Sequence, residues 1–296
     1  MKHILILIVC LFAYSAEAKF SVKRNTNMKF GVVASSVDGP GTAIINTNAD
    51  SKYVTGSVID FGGTVARAKF SISGGTPSGF VSITLPASLT ISKSGVSLTV
   101  DTLATDISTP AQLDSQGKLS FYVAGRLNVP TNQTAQSGLT GELTVLVQDN
   151  TSSNNDDATA PVSGSTVAPI AISETTALSF GKIEPSSVGG TLAVSTGGVT
   201  TAINVTELAG GSISQGVFTV TGDGGAAFSV TLPSSAALTS GSYSMTVNNF
   251  QHDAGVSPAI GGGGSKAINI GATLNVGADQ GGGNYSGSYT ISVNYN

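Results

Sequence analysis

The chain has 296 residues, a formal net charge of −4, no tryptophan and one cysteine, and only 10% of its residues are charged. So thin a charge excludes the basic patch that nucleic acid binding requires. Low charge together with abundant Val, Ile, Thr and Ser suits an all-β chain better than a disordered one.

In chain order, Lys2 and His3 make a short basic start, Ile4 to Tyr14 is apolar, and Ala16-Glu17-Ala18 has the small-x-small form of a cleavage site. This predicts a secretory signal peptide over 1–18, since the run is too short to span a membrane. A lipoprotein anchored on Cys10 is the rival reading; Val9 stands where that signal wants a small residue. Cleavage after Ala18 leaves an exported, disulfide-free protein, placed in the periplasm, on the outer surface or outside the cell. It must be held by core packing, β-ladders or a partner strand. No later segment is long and apolar enough to cross a membrane as a helix.

The remaining chain is written twice. Phe20 and Val22 match Ile170 and Ile172, and Met28-Lys29-Phe30-Gly31 matches Leu178-Ser179-Phe180-Gly181. Phe70 to Gly74 answers Phe218 to Gly222; each is followed by a glycine-containing turn and a second run ending in Leu-Pro, at Pro86 and Pro233. Each such pair reads as a β-hairpin. Gly125 to Val129 answers Gly271 to Val276. Short strands at regular spacing without a helical period predict two tandem antiparallel β-sandwich domains of the immunoglobulin or pilin kind. The boundaries are 19–149 for the first repeat and 167–296 for the second. Between them Asn150 to Thr166, polar and small-residue-rich, reads as a linker.

The most regular alternation closes the second repeat. Tyr285, Gly287, Tyr289, Ile291, Val293 and Tyr295 fall on one face, and Asn or Ser/Thr residues on the other. Period-two alternation of this kind predicts a strand with one buried face. A weaker copy, Ser137 to Asn150, closes the first repeat and places Leu143, Val145 and Val147 under Tyr289, Ile291 and Val293.

Catalytic signals are nearly absent. After the leader there is no thiol and one histidine, His252, beside Asp253, with no Gly-x-Ser-x-Gly elbow to supply a nucleophile. Asp156, Asp157 and Asp223 lie in stretches without the Asp-x-Asp-x-Asp-Gly pattern of a calcium loop. No cofactor or metal site is expected, and no enzymatic activity.

The segments Leu178 to Ile183, Phe218 to Gly222, Phe228 to Pro233, Gly271 to Gly277 and Gly283 to Asn296 resemble an exported bacterial family, domain of unknown function 4402. The second copy matches nearly throughout and the first diverges, with Asp149 for Tyr295 and Leu139 for Tyr285. The closing strand is also similar to that of chaperone–usher pilins and spore-coat-U-like domains, through its penultimate Tyr295 and through Gly283. This resemblance implies incomplete sandwiches completed by a strand from another subunit, with the partner being self, another envelope subunit or a periplasmic chaperone. Phe20 and Val22 then serve either as a donor strand or as the first strand of their own domain, and the repeat alignment favours the latter.

The expected function is a structural or adhesive envelope protein of the fimbrial or surface-coat kind. Its assembly residues are Phe20, Val22, Tyr285, Tyr289, Ile291, Val293 and Tyr295. The alternative is a monomeric carbohydrate- or ligand-binding module that offers Tyr243 or Tyr285 to a glycan.

Overall fold

A computed structural model describes residues 19–296. The signal peptide expected over 1–18 lies outside the described residues. Every extended or helical element among them is a strand, and the chain forms two tandem β-sandwich repeats.

The first repeat is one sheet of 14 strands. Its path begins with the Ser21–Thr26 strand and runs, near its other end, to the Met28–Ala34 strand. Val22 from the first, Met28 and Phe30 from the second, and Phe70, Phe121 and Leu127 from the middle nevertheless share one buried core. The sheet therefore curls until its ends meet, and its two halves become the layers of a sandwich. Alternation explains the packing: in the Ala68–Ser73 strand Phe70 and Ile72 are buried while Lys69 and Ser71 are half-buried. Phe70 stands opposite Phe121 of the Leu119–Val129 strand, with stacked rings 5.6 Å apart.

Two expectations need correction. The Ala68–Ser73 and Phe80–Thr84 strands do not pair with each other as a hairpin. The former pairs with the Ser21–Thr26 and Leu119–Val129 strands, the latter with the Ala111–Gln112 and Gln136–Asp149 strands. The turn between them bonds outward (Gly75 N–H to Gly117 O, Ser78 N–H to Asp114 O), so it carries the chain across the sandwich. The Gly216–Thr221 and Phe228–Thr231 strands of the second repeat diverge in the same way.

The second correction concerns the stretch expected to be a linker. From Asn155 to Val167 it is a strand of 13 residues. It pairs antiparallel with the Gln136–Asp149 strand over eleven residue pairs and parallel with the Met28–Ala34 strand. Ala160, Val162 and Gly164 point inward at alternate positions. These side chains are too small to give a strong hydrophobic signal, yet two neighbours supply a full set of backbone partners. Pro161 is tolerated because the ladder to the Met28–Ala34 strand begins only at Val162. The strand completes the first sandwich, and we call it the covering strand.

The second repeat has a sheet of seven strands and three separate two-stranded ladders. Its buried residues fall into two clusters. One holds Leu192, Val194, Val247 and Leu274. The other joins Val220, Phe228, Ile268 and Tyr295 to Ala34 and Val167, with Phe61 packed against it. The repeats thus share apolar contacts where the covering strand ends.

Candidate functional site

The closing strands of the two repeats meet the same neighbours on one edge and differ on the other. In the first repeat the Gln136–Asp149 strand pairs with the Phe80–Thr84 strand, touches the Ser88–Lys93 strand at Thr140, and has the covering strand on its far edge. In the second, the Ser292–Tyr295 strand pairs with the Phe228–Thr231 strand, and Ser286 bridges Thr239. No strand among the described residues occupies its far edge. A 14-residue strand becomes one of four residues plus a single bridge. The sequence alternation is intact there; the missing ladder partner accounts for the loss.

The opposite bank is equally open. Ser179–Phe180 pairs with Ile213–Ser214, as Lys29–Phe30 pairs with Val65–Ala66 in the first repeat. The edge that meets the covering strand in the first repeat has no partner strand among the described residues in the second. Between the banks runs a groove of about 810 Å³, lined by Leu178 to Ile183 on one side and Gln280 to Tyr289 on the other. Its floor includes Leu238, Met245, Val247, Leu274 and Val276.

Burial follows from this. Leu139, Leu143, Val145 and Val147 are 0% exposed, whereas their counterparts Tyr285, Tyr289, Ile291 and Val293 are each half-buried. Tyr295 alone of the expected closing-strand residues is buried; its hydroxyl accepts from the Asp223 N–H at 2.7 Å and donates to the Ala168 carbonyl at 2.7 Å. Tyr285 donates to the Gly281 carbonyl and accepts from the Gln280 side chain. The Tyr289 hydroxyl is buried without a hydrogen-bond partner, and burial, then the charge of Glu174, pushes its pKa up to about 12. Phe250 and Phe218 pack against its ring.

Phe20 and Val22 lie elsewhere. Both are buried in the first repeat, and Val22 is held in the ladder opposite Ile72. Ile172 has the same place opposite Val220 in the second. His252 ends the Tyr243–His252 strand with Nδ1 buried and unpartnered, while Asp253 accepts from Asn269. Tyr243 is exposed.

Sequence reasoning missed three functional elements. The Leu178 to Ile183 edge was legible as a repeat motif but not as one bank of a groove. The only sequence signal of the covering strand is the faint alternation of Ala158, Ala160, Val162 and Gly164. No periodicity marks Lys52, whose ammonium bonds the carbonyls of Phe30, Val32 and Gly62 and pairs with Asp60 at 2.8 Å.

A family model described as Domain of unknown function (DUF4402) matches residues 20–149 and again 170–295. The chain belongs to this family. Both repeats of this DUF4402 protein match, the first despite Asp149 and Leu139. No curated protein matches the sequence. Among solved structures, a chain described under "Chaperone-tip adhesin complex is vital for synergistic activation of CFA/I fimbriae biogenesis" is similar over 94% of this chain and 91% of that one. Its identity is 9% and its TM-score 0.24.

Proposed function

We propose that this protein is a non-catalytic structural or adhesive component of the bacterial envelope, a subunit of the fimbrial or surface-coat kind that assembles by strand addition. One observation carries the reading: the second repeat leaves open a groove that the first repeat fills with a strand. An unpaired edge above an apolar floor is a template for β-augmentation, in which backbone hydrogen bonds give affinity and alternate side chains give specificity. The leader expected over 1–18 and the scarcity of charge fit a surface that faces neighbouring protein outside the cytoplasm.

Denaturing electrophoresis of native envelope extracts, unboiled against boiled and probed for this protein, tests the proposal. Strand-exchanged assemblies give a ladder that collapses to one monomer band on boiling. A monomer band in both lanes overturns assembly.

A further inference from the structure

The first repeat specifies what the groove takes. We infer that the open groove of the second repeat binds an extended strand from a second polypeptide. That strand runs antiparallel to the closing strand and parallel to Leu178 to Ile183, with a β-branched residue opposite Gly287 and small residues opposite Tyr285 and Tyr289. The inference rests on the assembly reading above and adds the polarity, register and side-chain pattern of the partner.

The filled first repeat is the template for the open second one. In the first repeat Val162 stands opposite Gly141, Gly164 opposite Leu139 and Ala160 opposite Leu143. Large meets small at each step, so the two strands interdigitate at constant spacing. A side chain at Gly164 would point at Ile91, Phe30 and Leu127, at 3.3, 3.6 and 3.7 Å. Their repeat counterparts, Leu238, Phe180 and Leu274, all line the groove. Gly287 holds the place of Gly141, the residue that Val162 faces, and Tyr285 and Tyr289, bulkier than Leu139 and Leu143, set the demand for small partners beside it. The occupant is therefore apolar or small at every second position and unrestricted between them.

Strands of this chain with such a pattern are already engaged. Ser21–Thr26 is laddered to Ala68–Ser73, and Asn155–Val167 lies between two neighbours. Among the described residues no such strand is free to fill the groove, so the occupant inferred is a strand from a second polypeptide.

The test grafts the first repeat's solution onto the second. A copy of the segment 151–167 is appended after Asn296 of the full chain, and a control carries Val162→Asp within the appended copy only. With the groove filled in cis, amide exchange across 179–183 and 284–291 slows by about tenfold or more, and the control exchanges as the parent does. Equal exchange in all three proteins overturns the inference. Expression of the extended chain in the native envelope separates the two proposals. Loss of the boil-sensitive ladder with the extension, and its retention with the control, supports both. Slowed exchange in a protein whose parent forms no ladder upholds the groove's specificity and sinks the assembly reading. A ladder that persists with the groove filled overturns the groove as the assembly site and leaves assembly standing.

Discussion

Asp149, at the end of the first closing strand, accepts hydrogen bonds from both the N–H and the hydroxyl of Thr76, at 2.7 and 2.8 Å. The N–H groups of Thr151 and Ser152 add two more. Tyr295, its counterpart, takes an N–H from the corresponding turn of the second repeat, at Asp223. Each repeat thus ties its closing strand to the turn that crosses the sandwich, one with a carboxylate and one with a phenol. The divergence from Tyr to Asp substitutes one acceptor for another.

This substitution makes the first repeat acid-sensitive. Burial pushes the Asp149 carboxyl up, but the four donors from Thr76, Thr151 and Ser152 outweigh it and hold the pKa at about 2, below the ordinary 3.8. The native state then binds fewer protons than the unfolded state between those values. The contribution, roughly 2 kcal/mol, is complete above about pH 4 and is lost as pH falls through about 2. Urea unfolding of Asp149→Asn at pH 7 is expected to show a loss of about that size, shrinking as the pH is lowered from about 4 to about 2. A mutational cost that stays constant over this range would show that the charge is not what Thr76 holds.

The second repeat is sensitive at the other end of the scale. The Tyr289 phenol stands at about 12, through burial and then Glu174. A raised pKa gives stability that is present below the unfolded value near 10 and is lost as pH rises through about 12. Absorbance titration of tyrosine ionisation should show a late-ionising class, which burial makes Tyr295 share, and Tyr289→Phe should remove one tyrosine from it. If that variant titrates like the parent, the buried hydroxyl lies on another residue.

The repeat, the closing alternation and the all-β class were legible because each rests on large apolar residues at period two. Asn155 to Val167 was not, because Ala160, Val162 and Gly164 give little hydrophobic contrast and Asp156, Asp157 and Pro161 read as breakers. What makes that segment a strand is the pair of edges waiting for it, which is tertiary information. The hairpin expectation failed similarly: local turn chemistry at Gly74 to Gly79 is compatible with either a hairpin or a crossing, and the partners that hold the crossing, Asp114, Gly117 and Asp149, lie far along the chain.

Gly141 and Gly287 probe the difference between a filled and an open far edge. A Cβ at either would collide with the backbone carbonyl of the neighbouring strand, at Thr90 and Ala237 respectively. The first strand is locked between two neighbours, whereas the second can move into its groove. Gly141→Ala should therefore cost roughly 1–3 kcal/mol in urea unfolding and Gly287→Ala distinctly less. Equal costs would indicate that the second strand is as constrained as the first.

Lys52 satisfies backbone carbonyls beside the core that apolar packing leaves without a donor. Its side chain is 1% exposed, and it satisfies three carbonyls around Gly31 while paired with Asp60. Lys52→Met keeps the stem and strips those partners, and should cost roughly 3 kcal/mol. Asp60→Asn leaves the carbonyl bonds in place and should cost less, since the carboxylate is 40% exposed and screened. The reverse order would assign the stabilisation to the ion pair.

The contact between repeats decides whether they unfold together. Phe61 of the first packs edge-on against the ring of Tyr295 in the second, with centroids 4.9 Å apart and planes at 83°. Tyr295 also donates to Ala168, just beyond the covering strand. A single ring thus joins the closing strand of one repeat, the end of the covering strand and the wall of the other repeat. Phe61→Ala removes the aromatic pair without touching either hydroxyl bond, and Tyr295→Phe does the converse. Aromatic pairs contribute about 0.5–1.5 kcal/mol beyond area burial. In a double-mutant cycle with Phe61→Ala and Tyr295→Ala, followed by urea unfolding, a coupling of that order is expected, together with separation of one unfolding transition into two. Strict additivity with an unchanged single transition would mean that the repeats are coupled through Val167 and Ala34 instead, and that the aromatic pair only fills space.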